Sequence, residues 1–334
     1  MILALFLFFA ATPTFEESFR AGLLALQRND LSAAEDNLSA AAKLQPENAR
    51  VWVALARTWS KRGDSRRAAD AAEKAGKLGA SDPVVMSTLA ILYTDARQPL
   101  QAADAQAKYA ALAPNDAAAR EKAESMYFAA AEPLLQQQKF GEAASILAKA
   151  TTSVPNSAQL ELALGVAQYG LRRFDEAAAA FLRAIAIAPG IERPYVFLGR
   201  FLGQIPDRLP EVTRQFARFA QANPSSAIGY FLHAKALNAQ SIEPETARKL
   251  LEKAIAIDRR DASAHFELGV ALERLGRAKE ALDAFQKAAA LAPNDSAAHY
   301  RLSRLYDRLG DREAARRERE IHAKLVEAEE AARQ

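Results

Sequence analysis

Cysteine is missing from all 334 residues. Its absence excludes disulfides, thiolate metal ligands and a cysteine nucleophile, and also a lipidated N-terminal cysteine, but it fits either side of a membrane. Aromatic residues make up only 8% of the chain, and runs of β-branched residues are few. A sheet protein needs both, whereas an apolar content dominated by alanine favours helix. No charge excess is present: 44 basic side chains face 41 acidic ones, a net charge of +3. That balance does not call for nucleic acid, although a pI near 9.0 permits weak attraction to acidic partners. The chain also lacks a glycine-rich phosphate loop and a metalloprotease histidine pair.

Long apolar runs are missing too, apart from Ile2 to Ala11, which precedes the first charged side chain, Glu16. A bilayer span needs about 20 apolar residues, whereas the core of a secretory signal needs only about 7 to 15. No Lys or Arg precedes the run, and Ala10-Ala11-Thr12-Pro13 is small without forming a clean cleavage box. Residues 1–14 are therefore expected to be a signal peptide or a short apolar anchor, with the chain exported to the periplasm or envelope. Otherwise the segment extends the opening helix and the chain is cytoplasmic.

What the chain does contain is a period of 34 residues. His265 recurs as His299, Leu268 as Leu302, Leu272 as Tyr306, Gly276 as Gly310, Ala281 as Ala315 and Pro155 as Pro189. Within each period the apolar positions step by three and four, which is helical. The most regular copy runs from Ala262 to Asp295 and reads as two amphipathic helices, a tight turn and a closing proline. At position 8 and position 20 the residue is small, which lets the paired helices approach. Gly63, Gly276 and Gly310 fall where a left-handed helix end is wanted.

In that copy His265, Leu268, Gly269, Leu272, Ala281, Phe285, Ala288 and Pro293 stand at positions 4, 7, 8, 11, 20, 24, 27 and 32. With only the large aromatic at position 4 replaced, the pattern resembles the tetratricopeptide repeat (TPR) family. The resemblance implies an all-α fold, a right-handed α-solenoid of about nine antiparallel helix-turn-helix repeats with a C-terminal capping helix. Residues 15–116 hold units 1–3. Residues 117–157 hold an irregular fourth unit whose first helix starts early, at Asn115-Asp116, and is expected to kink at Pro133. Residues 158–315 hold units 5–9, with longer turns at 205–210 and 241–244, and residues 316–334 form the capping helix. These departures from the regular pattern are expected to split the stack in two.

Nine such units occupy nearly all of the chain, so no segment is expected to form a catalytic domain, and neither a cofactor nor a metal site is expected. His265 and His299 share one repeat position, so their spacing reflects the repeat rather than a metal site. His233 stands at a packing position and His322 on the last helix. Asp175, Glu176 and Glu280 begin second helices, where they suit the helix dipole. Arg312 to Arg319 interleaves arginine with glutamate, the pattern of an exposed, salt-laced helix rather than a nucleic-acid surface.

In the family the first helices line a concave face that takes peptides or helices, through positions 2, 5, 9, 12 and 13. Carried onto this sequence, those positions give Arg50, Val53, Arg57, Ser60 and Lys61 early in the chain. Later they give Tyr169, Arg193, Val196, Arg200, Phe231, Lys235, Asn238, Phe266, Tyr300 and Arg304. Mixed cations and aromatics suit a protein or peptide partner with acidic and apolar side chains. The two-carboxylate clamp of chaperone-binding members is missing, so a chaperone C-terminus is not the expected ligand. The resemblance implies a non-catalytic scaffold supporting envelope assembly or secretion, or a regulatory or substrate-delivery subunit of a separate enzyme complex. No nucleic acid is expected as partner, and membrane contact only through residues 1–14.

Overall fold

The computed structural model describes residues 13–332. The expected signal or anchor segment lies outside the described residues except for Pro13 and Thr14. The described residues form eighteen α-helices and no strand, an all-α solenoid of helical hairpins. None of these helices is long and apolar enough to cross a membrane. The chain divides into two compact units, one ending at Ala167 and the other beginning at Gln168. This boundary falls inside α9 (Ala158–Gly170), in a regular repeat, and not at the irregular segments where the sequence placed it.

The first compact unit carries α1 (Phe15–Gln27) and α2 (Leu31–Leu44), α3 (Ala49–Arg62) and α4 (Ser65–Leu78), α5 (Pro83–Asp95) and α6 (Pro99–Leu112), then α7 (Ala117–Gln136) and α8 (Phe140–Ser153). Thr14 caps α1 in a reciprocal pair with Glu17, each side chain taking the other's backbone N–H. Asp116 caps α7, a twenty-residue helix that runs one turn beyond Pro133. The second unit takes over within α9 and continues with α10 (Phe174–Ile187), α11 (Glu192–Arg200), α12 (Leu209–Ala222), α13 (Ala227–Gln240) and α14 (Pro244–Ile257). It closes with α15 (Ala262–Arg274), α16 (Ala278–Leu291), α17 (Ser296–Leu309) and α18 (Arg312–Ala331). The segment read as a cap is the continuation of the second helix of the last repeat, α18, which begins at Arg312 and runs without a break to Ala331.

Two local devices recur. The first is a left-handed residue at position 15, where the chain leaves the first helix of a repeat. Gly63, Gly276 and Gly310 take φ of 81°, 74° and 87° there, and Asn29, Arg97, Gln138, Arg172 and Ser241 take φ between 55° and 61° at the same position. In the sixth repeat this position is Pro206, whose ring locks φ negative. The left-handed exit is closed there. α11 ends already at Arg200, and two short 3-10 turns, Leu202–Gln204 and Pro206–Arg208, carry the chain to α12.

The second device is a donor at position 4. Trp52 Nε1 donates to Pro46 O at 2.7 Å, Tyr195 Oη to Pro189 O at 3.0 Å and Tyr230 Oη to Pro224 O at 3.1 Å. His265 and His299 place Nε2 3.2 and 3.1 Å from Arg259 O and Pro293 O. In each case the acceptor is the carbonyl six residues earlier, at the end of the preceding repeat. Packing completes the hairpins. Ala34, Ala143, Ala177 and Ala281 at position 20 are wholly buried, and a Cβ added to Gly269 would sit 2.6 Å from the Phe285 ring.

Candidate protein-binding site

In the second unit the first helices α11, α13, α15 and α17 follow one another, and α13 packs against both α11 and α15. Between them, and the short turn after α11, lies a cavity of about 360 Å³. Arg200, Lys235, Asn238 and Phe266, all at positions singled out in the sequence, line it, together with Glu267, Arg274 and Arg301. Helical spacing explains the convergence: Lys235 and Asn238 lie three apart on one face of α13, and Phe266, Glu267 and Arg274 fall on the facing side of α15.

Glu267 organises the interior of this cavity. Asn238 Nδ2 donates to its carboxylate at 2.7 Å and to its backbone carbonyl at 3.0 Å. Burial pushes the Glu267 carboxyl above the usual carboxylate range, opposed by the Asn238 hydrogen bond and by the charges of Lys235, Arg274 and Arg301. Arg274 donates to the carbonyl of Asn238, and Arg301 reaches Glu273 at 3.3 Å. Arg200 and Lys235 form no ion pair among the described residues. Each instead lies over an aromatic ring, Phe197 at 5.2 Å and Phe231 at 5.7 Å. Asn238 is 3% exposed, and its Oδ1 has no hydrogen-bond partner. The cavity therefore presents two cations outside any ion pair beside the half-buried Phe266.

The other singled-out residues lie elsewhere. Arg304 donates to Tyr300 Oη at 3.2 Å, and both are exposed one helix along, on α17. Phe231 is buried beneath Lys235. Tyr169 is half-buried among Phe174, Phe197 and Phe201, its centroid 5.3 to 6.2 Å from theirs, so it serves the core. Arg193 is exposed at the start of α11, and Val196 is half-buried one turn further along. Arg50, Arg57, Ser60 and Lys61 lie exposed on α3 of the first unit, while Val53 on the same helix is buried. There Asp82 binds the Arg50 guanidinium at 2.7 Å and raises its pKa, and Lys61 reaches Asn29 at 3.3 Å.

Glu267 and Arg301 both occupy position 6, outside the set carried over from the family, so nothing in that pattern points to them. Arg274 is at position 13, the same place as Lys61, and could have been found there. Among the described residues no three His, Asp or Glu side chains converge to hold a metal. On α18, Arg317–Glu313, Arg316–Glu320 and Arg319–Asp307 pair at 2.6 to 3.0 Å.

No curated protein matches the chain in sequence. Among solved structures, PilW, a type IV pilus biogenesis factor, is 20% identical over 58% of this chain and 90% of its own, with a TM-score of 0.49. PilF of Pseudomonas aeruginosa is 20% identical over 60% of this chain and 90% of its own, at 0.47. YrrB is 18% identical over 54% of this chain and 91% of its own, at 0.40. The sequence signature of the tetratricopeptide repeat matches residues 19–83, 128–190 and 243–296, more than half of the chain. With that coverage, the 34-residue period and the hairpin stack describe one architecture, and the chain belongs to the tetratricopeptide repeat family.

Proposed function

We propose that the protein is a non-catalytic interaction scaffold that holds an acidic, partly apolar protein segment against the first helices of its second unit. The observation that carries this reading is the cavity in which Arg200 and Lys235 stand unpaired beside Phe266. A carboxylate arriving there exchanges its water for cations already held against rings. Phe266 supplies the buried apolar contact that dominates such interfaces. The other two arginines lining the cavity, Arg301 and Arg274, are already engaged by Glu273 and by the Asn238 carbonyl.

The test is affinity capture of the native protein with crosslinking, repeated for the double variant Arg200→Glu/Lys235→Glu. Arg200 is exposed and Lys235 half-buried, neither in an ion pair, so the helical fold is expected to hold, checked by circular dichroism and melting, while the captured partner is lost. Unchanged capture overturns the assignment. Reproducible turnover by the repurified protein alone would overturn the non-catalytic part. We further propose export to the cell envelope through residues 1–14, in support of assembly or secretion there. The support is the ten-residue apolar run ahead of Glu16. Fractionation and N-terminal sequencing test this, and a cytosolic chain still beginning at Met1 overturns it.

A further inference from the structure

The cavity beside Phe266 is lined by five charged side chains, and four of them are cations. Arg200 comes from the end of α11, Lys235 from α13, Arg274 from α15 and Arg301 from α17. The one carboxylate is that of Glu267, also on α15. No titratable side chain of α14 or α16, which pack against α15 as well, lines the cavity. Among the described residues Glu267 forms no ion pair. Its carboxylate is held by an amide, with Asn238 Nδ2 donating at 2.7 Å. An acidic guest would therefore compete with Glu267 for the same cations.

A second carboxylate admitted to a space of about 360 Å³ stands within about a Debye length of the first, where the two repel. Of the two, Glu267 is the one already held above the ordinary carboxylate range by burial. A proton taken from solvent onto Glu267 relieves the repulsion. The cavity then holds four cations and one carboxylate when occupied, as it does when empty. Protonation also suits the amide. Asn238 Oδ1 is buried and has no donor, and an acid brings an O–H that a carboxylate lacks.

We infer that Glu267 couples partner binding to pH: an acidic side chain of the partner enters the cavity together with one proton, which Glu267 takes up. This rests on the reading of the cavity as a protein-binding site and gives that site a regulator. Empty, the cavity keeps its own carboxylate among the cations. Occupied, it yields them to the guest. The bound state holds one proton more than the free state, so affinity for an acidic partner rises as pH falls, and the partner is released as pH rises. The change is confined to the window between the pH at which Glu267 titrates in the empty cavity and the higher pH at which it titrates in the occupied one.

A tethered guest tests the coupling without the partner. Gln204 is exposed and lines the cavity, so Gln204→Glu places a carboxylate there at no change of size. The Glu267 carboxyl carbon is titrated by NMR in the full-length protein, its signal assigned by its loss in Glu267→Gln. In Gln204→Glu the midpoint should move upward by about 0.5 in pH or more, and an unchanged or lower midpoint overturns the inference. The captured partner tests the consequence. The parent protein should retain roughly threefold more of it at about pH 5.5 than at about pH 7.5, and Glu267→Gln should retain it equally at both. A pH dependence that persists in Glu267→Gln, or that runs the other way in the parent, overturns the inference as well. Thermal melts show whether the variants are folded. If Glu267→Gln is not, Glu267→Asp assigns the signal and the Gln204→Glu titration alone decides. If no partner is captured at either pH, the binding reading falls, and that titration still decides the coupling.

Discussion

At the scale of single residues, the clearest regularity is the position-4 donor. Tryptophan, tyrosine and histidine have little in common except an N–H or O–H at the far end of a ring. In five repeats that group reaches the carbonyl six residues back. Histidine therefore replaces the aromatic of the family pattern without loss of the contact. Tyr195 is 2% exposed and lies against Phe219 with centroids 4.2 Å apart. Tyr195→Phe keeps this packing and removes only the donor, so it should cost about 1 kcal/mol in urea unfolding. Glu267 provides the second test. Its folded pKa is raised by burial, so the folded state holds a proton that the unfolded state has released. Stability from this group then falls as pH rises through the carboxylate range. Glu267→Gln, which mimics the protonated form, should melt higher than the parent protein at pH 7, and the gap should close towards pH 4. A variant that melts lower at pH 7 would show that the surrounding cations outweigh burial.

At the scale of the hairpin, two glycines seven residues apart serve different ends. Gly276 sits at φ 74° with open space where a Cβ would be, so only the backbone requires it. Gly269 is helical, and its Cβ would meet the Phe285 ring. Gly276→Ala should cost about 1 kcal/mol whatever stands at 285. Gly269→Ala should cost about 1 to 3 kcal/mol, and part of that should be recovered by Phe285→Leu. A double-mutant cycle separates them: coupling to residue 285 is expected for Gly269 and not for Gly276. The same logic explains the sixth repeat. Its long turn was legible as Ile205 to Pro210, but that Pro206 stands where the other repeats leave their first helix with positive φ is visible only once that backbone angle is known.

For the whole molecule, charge carries little information by its total and much by its placement. The net charge of +3 is unremarkable, yet Arg200 and Lys235 face one cavity outside any ion pair, with the buried Glu267 the acid that Lys235 acts on there. Capture of an acidic partner there should weaken as salt rises from about 0.1 to 0.5 M, because exposed charges are screened over a Debye length that shortens from about 10 Å. The variant Arg200→Glu/Lys235→Glu should show neither the capture nor its salt dependence. Capture that is unchanged by salt would point to a partner held by apolar contacts alone.

A 34-residue period of apolar and small positions leaves helical hairpins as the fold, because each repeat can bury its apolar face only against its neighbours. That much needs no coordinates, and neither do the glycine exits at 63, 276 and 310. Convergence across repeats required them. Lys235 and Arg200 lie 35 residues apart in sequence, and Glu267 and Arg301 lie 34 apart. No local pattern says that all four line one cavity, or that Arg301 already has Glu273 as a partner while Arg200 has none. Periodicity tells which face of a helix a residue occupies. How closely neighbouring helices pack, and which charges neutralise each other, depends on contacts between residues far apart in the chain.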